Sequence, residues 1–120
     1  MNPLRLSLFA LIFLALFSMN NAEADDWESS LELVGSYNNV VANDVTISGN
    51  YAYVAANNTV LVILDITDPA NPTLAGSYDT DGVAVGVTIS GNYAYVAVYN
   101  NGLVIINIEA PSNPTLVGSY

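Results

Sequence analysis

The sequence predicts an all-β fold of β-propeller blades: two four-stranded antiparallel blades behind one leading outer strand, an incomplete propeller. Three observations predict it. The segment Thr46–Ala55 recurs unchanged as Thr88–Ala97, at an offset of 42 residues, and periods of ~40–45 residues are those of propeller blades. The run Val60–Ile66 is apolar throughout except for Asp65, which fits a strand covered on both faces better than a sandwich strand with one wet face. From residue 31 onward no segment carries the 3.6-residue periodicity of a helix.

The elements follow in chain order. Met1 and Arg5 form a positive start, Leu6–Phe17 is an apolar run, and Ala22-Glu23-Ala24 supplies the small-x-small pattern of a cleavage site. Residues 1–24 are therefore expected to be a secretory signal peptide and 25–30 a short acidic linker. The apolar run is short of the ~20 residues that span a bilayer, and no membrane association is expected once the leader is removed. Residues 31–37 form the leading outer strand, 38–78 the first blade and 79–120 the second.

Within the first blade, Val45–Ile47 is a β-branched run closed by Ser48-Gly49-Asn50, a tight-turn signal. Tyr51–Ala55 alternates aromatic and small residues, and Asn57-Asn58-Thr59 makes the next turn. Val60–Ile66 is the third strand, stopped by Asp68-Pro69-Ala70-Asn71-Pro72, because proline cannot donate to a central ladder. Thr73–Tyr78 is the fourth strand. The triplet Gly-Ser-Tyr ends each unit, at Gly35, Gly76 and Gly118, with intervals of 41 and then 42 residues. The missing residue belongs to the loop between Tyr37 and Val45, where length changes are tolerated. A four-stranded sheet that is apolar on both faces cannot bury both alone, whereas radial stacking covers each face with its neighbour. Two blades are too few to close a ring, so the chain is expected to be either the amino-terminal piece of a longer propeller or a unit that assembles with copies of itself.

The order Leu61-Val62-Ile63-Leu64-Asp65, a D-P-x-N-P turn and a T-L-x-G-S-Y strand resembles the LVIVD repeat of bacterial and archaeal cell-surface proteins. The resemblance covers residues 31–120 and implies a propeller-like fold outside the cytoplasm, with no particular reaction or ligand. One position departs from it: Asn107 stands where the first repeat has Asp65.

Charge narrows the function further. The net charge is −10, the one cation is Arg5, and cysteine and histidine are absent. Nucleic-acid binding rests on cationic neutralisation of phosphate, so no nucleic-acid partner is expected. A Ser-His-Asp or Cys-His site is excluded, as are a zinc site of His/Cys type and a disulfide.

The turn between second and third strands and the loop after the fourth should emerge at one end of the blades, because adjacent strands alternate direction. Asn57, Asn58, Asp79, Asp81, Tyr99, Asn100 and Asn101 would then share a rim. Tyrosine with asparagine can stack on and hydrogen-bond a neutral sugar, which makes a carbohydrate-binding module the alternative function. Asp79-Thr80-Asp81-Gly82 opens like a calcium loop but lacks its further ligands. A solvated turn explains it, and no cofactor is expected, with calcium at Asp79 and Asp81 as the competing idea. Asp65 and Asp68 are expected to bond turn amides. Asp44, Asp65, Asp79, Asp81 and Glu109 are glycosidase candidates only by elimination. Tyr51, Tyr53, Tyr93 and Tyr95 are expected to pack between blades.

The expected function is a non-enzymatic, exported scaffold that meets a protein or glycan partner at the cell surface. A fragment of a propeller hydrolase is the remaining alternative.

Overall fold

The computed structural model describes residues 31–120; the expected leader and acidic linker lie outside them. Among the described residues there are eight strands and no helix. β1 (Ala42–Ser48), β2 (Tyr51–Ala56), β3 (Val60–Asp65) and β4 (Thr73–Asp79) form one sheet in chain order. β5 (Ala84–Ser90), β6 (Tyr93–Val98), β7 (Gly102–Asn107) and β8 (Thr115–Ser119) form the second. Every neighbouring pair is antiparallel. The expected blades are thus both present, with strands that start or stop a few residues from the anticipated bounds. Ile66 falls just past β3, its amide bonded to the Asn50 carbonyl at 2.8 Å. Asp79 closes the first sheet opposite Val60.

Local chemistry accounts for the hairpins. Gly49 and Gly91 have φ of 57° and 55°, and each is the first central residue of a two-residue turn flanked by a Ser–Tyr pair. That is the type II′ position, which asks for glycine. Both sheets are also irregular at matching places. Asn43 is an extra residue on β1 and Val85 on β5, while Ala75 and Val117 are extra on β4 and β8.

The two sheets stack through one shared core. Tyr53, Ala55, Leu61 and Ile63 of the first face Val87, Ala94, Val96, Val104 and Ile106 of the second. The sheets come closest where β5 lies beside β1 and β2. Close inner strands with diverging outer ones are the geometry of adjacent propeller blades.

The opposite face of the first blade, with Ala52, Val54, Val62 and Leu64, forms a second cluster against which Tyr37 and Val40 pack. The opposite face of the second blade is more open: Tyr95 is half-buried and Leu103 37% exposed, whereas Tyr53 and Leu61 are 3% and 0%. Tyr95 and Leu103 repeat Tyr53 and Leu61 in sequence, so a neighbouring sheet accounts for the difference.

The leading segment differs from the outer strand expected there. Leu31–Tyr37 carries no strand ladder, since among the described residues no strand pairs with it. It nevertheless sits where an outer strand should. A Cβ on Gly35 would collide with the Pro69 carbonyl oxygen, and a Cβ on Gly76 would collide with that of Pro111. The same place at Gly118 is open. Leu31–Tyr37 therefore touches the first blade as β4 touches the second.

Candidate functional site

One end of the stacked blades gathers the β2–β3 turn, the β4–β5 connection and the β6–β7 turn. Hydrogen bonds tie them together. Thr80 donates twice to the Thr59 carbonyl, from its amide at 2.8 Å and its hydroxyl at 3.0 Å. The Tyr99 amide donates to the Val83 carbonyl at 2.8 Å, and the Asn101 side-chain amide donates to the Asp81 carbonyl. Thr80 is buried, and its hydroxyl also lies 2.8 Å from the Gly82 carbonyl; a buried hydroxyl without such partners would carry a desolvation cost.

The predicted rim residues share this end but divide between two clefts. Asn57 and Asn58 line the first, of about 380 Å³, together with Asn38, Asn39, Val40 and Val41. Asp79, Asp81 and Asn101 line the second, of about 350 Å³, with Tyr78, Leu116 and neighbours. Tyr99 stands beside them with 65% of its surface exposed, and Asn100 takes a left-handed φ of 67° in the same turn. The two clefts occupy related places in the repeat but are lined differently, the second extending onto Val104, Leu116 and Ser119. In each repeat the connection into an inner strand meets the turn between second and third strands, and the Asn57–Val41 backbone bond of the first repeat is matched by Tyr99–Val83 in the second.

The carboxylates are distributed differently. Asp79 Oδ1 accepts the Asp81 amide at 2.9 Å, with Asp81 at a φ of 54°, the arrangement of an aspartate-stabilised turn. Among the described residues no three of His, Cys, Asp or Glu gather as metal ligands. Asp65 and Glu109 lie at the far end of the blades, beside the Asn50 and Asn92 turns. Asp65 Oδ1 accepts the Thr67 amide at 2.9 Å. Thr67, through its side chain and its backbone, holds the Asp65 carboxyl below its ordinary value. Asn107 Oδ1 accepts the Glu109 amide at 2.9 Å in the second repeat. An amide oxygen performs this task as well as a carboxylate, which explains why Asn can replace Asp there. Asp68 caps the same turn through the Ala70 amide.

Asp44, a glycosidase candidate by elimination, is instead a link between blades. Its Oδ2 accepts the Val87 amide at 3.0 Å. On either side, Asn43 donates to the Ala84 carbonyl at 2.8 Å and Thr46 to the Val87 carbonyl at 2.7 Å. The β1 bulge at Asn43 turns this run toward β5. The sequence carried a signal for this link, since the second repeat has Val85-Gly86 where the first has Asn43-Asp44. Asn38 and Asn39 were likewise missed as rim residues. The tyrosines divide by position: Tyr53 packs between the sheets, and burial, with Tyr51 alongside, pushes its hydroxyl pKa up.

The family model described as LVIVD repeat matches residues 41–80 and again residues 81–120. The first match holds β1–β4 and the second β5–β8. No curated protein matches the chain.

Proposed function

Because the chain belongs to the LVIVD repeat family, with each repeat folded as one four-stranded sheet, we propose that it is a non-enzymatic interaction scaffold working at the cell surface or outside the cell. The observation that carries this reading is the contrast within the rim. Its backbone is held by bonds within and between the two repeats, while Tyr99 is largely exposed. A rigid rim lowers the ordering cost of binding, and an exposed tyrosine is a common anchor for a protein partner. The sequence from Asp25 onward has carboxylates and no Lys, Arg or His, which disfavours anionic partners such as nucleic acid or acidic lipid.

The proposal is tested by immobilising the chain and measuring recovery of surface proteins from the source cells against a Tyr99→Ala/Asn101→Ala double variant. A set of proteins recovered by the parent and lost by the variant supports it. Equal recovery by both, or turnover of a panel of glycosidic and ester substrates by the parent, overturns it. Export is tested separately, by fusing residues 1–30 to a reporter that is active only outside the cytoplasm.

The open Tyr95–Leu103 face suits a further blade of the same repeat type, because it carries the residues with which the first blade meets the second. Light scattering on the purified chain decides between a defined multimer, which assigns that role to a second copy, and a monomer, which does not.

A further inference from the structure

We propose that the first-repeat cleft, lined by Asn38, Asn39, Asn57 and Asn58 over Val40 and Val41, binds a neutral saccharide. The inference rests on the interaction-scaffold reading and names a ligand class for one part of its rim.

Four asparagines line a cleft of about 380 Å³, within the ~300–1,000 Å³ of small-ligand sites. Each amide both donates and accepts, matching the hydroxyl groups of a sugar, which do the same. Val41, 56% exposed beside them, offers an apolar surface to the C–H face of a pyranose ring.

A left-handed backbone does not account for these asparagines. In the second repeat Asn100 occupies a left-handed position, where asparagine is favoured, but in the first repeat that conformation falls on Thr59, at a φ of 66°. A β-branched residue is rare there. None of Asn38, Asn39, Asn57 and Asn58 has a positive φ. Nor do internal bonds account for them. Asn43, Asn101 and Asn107 bond backbone groups, whereas no hydrogen bond between described residues engages these four side chains. Thr59 is held in its unusual conformation by the two bonds from Thr80, so the turn that presents Asn57 and Asn58 is fixed before any ligand arrives.

A saccharide fits better than an extended peptide. A peptide adding to a strand needs free backbone groups, and here the Asn57 amide and the Val41 carbonyl already bond each other at 2.9 Å. The side-chain amides are what the cleft has to offer. Uncharged hydroxyls also avoid the repulsion that the chain's net charge of −10 imposes on an acidic sugar.

The test is an NMR titration of the ¹⁵N-labelled chain with neutral tetrasaccharides of glucose, of galactose and of N-acetylglucosamine, following the asparagine side-chain amides. At least one sugar is expected to shift the four cleft amides, with Asn57→Ala/Asn58→Ala weakening binding about tenfold or more. Asn38→Ala/Asn39→Ala should act alike, and Asn113→Ala, exposed in the loop at the far end of the second blade, should change affinity less than about twofold. The four positions are exposed, so the variants are expected to keep the parent's circular dichroism. No shift with any of the three sugars at about 10 mM, or binding that survives both double variants, overturns the proposal. Recovery of proteins through Tyr99 and Asn101 is a separate readout, so the scaffold reading can stand when this one fails.

Discussion

Truncating one leucine in each repeat isolates the effect of a neighbouring blade. Leu61 and Leu103 hold the same place in the repeat, each between a Tyr-Ala-Tyr-Val-Ala strand and a following Val-Ile. Local propensity and register are therefore matched: Leu61 pairs with Ala55 and Leu103 with Ala97. They differ in what lies over them, since Leu61 is 0% exposed and Leu103 37%. At ~0.8 kcal/mol per buried methylene, Leu61→Ala forfeits about 2.4 kcal/mol of transfer energy. The cavity left between two sheets brings the total to about 3–4 kcal/mol. At Leu103 roughly a third of the surface already meets water, and no second sheet encloses a void, so about 1.5 kcal/mol is expected. The gap of about 2 kcal/mol should appear in urea unfolding as a midpoint difference of about 1 M, at a typical slope near 2 kcal/mol/M. If the Leu61 variant were no less stable than the Leu103 variant, the stacking account would be refuted.

Three further outcomes follow from the same structure. Asp44→Ala leaves the Val87 amide without its acceptor and should cost about 1–3 kcal/mol in urea unfolding, with Asp44→Asn recovering most of the loss. Gly76→Ala, which drives a methyl into the Pro111 carbonyl, should lower stability by about 1–3 kcal/mol, whereas Gly118→Ala meets open space and should leave the melting temperature nearly unchanged. The Asp65 carboxyl pKa is lowered in the fold, so its contribution is present above the unfolded value near 3.9 and fades as pH falls through the lower folded one. Asp65→Asn, which copies the second repeat, should therefore flatten the acid limb of a plot of melting temperature against pH while leaving the neutral value nearly unchanged.

What could be read in the sequence was local or repeated. Ser48-Gly49-Asn50 announced its hairpin because a type II′ turn requires glycine at that place. Val60–Asp65 announced a strand covered on both sides because its apolar run does not alternate. For the clamp of Asn43, Asp44 and Thr46 on β5 the sequence marked the departure from the second repeat but not the partners: it joins residues 41 to 43 positions apart, and a bulge aims it. The leading Leu33-Val34-Gly35-Ser36-Tyr37 repeats Leu116–Tyr120 letter for letter, which suggested a strand. A ladder, however, depends on partners and not on the segment's own sequence. At the rim, strand direction was enough to put Asn57 and Tyr99 at one end, but not to divide that end into an amide-lined and a carboxylate-bearing cleft.

The central claim is that the apolar face of one repeat is covered by the next. Methyl–methyl NOE spectroscopy of the purified chain tests it most directly. Cross-peaks from Leu61 and Ile63 to Val96, Val104 and Ile106 are predicted; Leu61 and Ile63 methyls that meet only their own sheet would contradict the account.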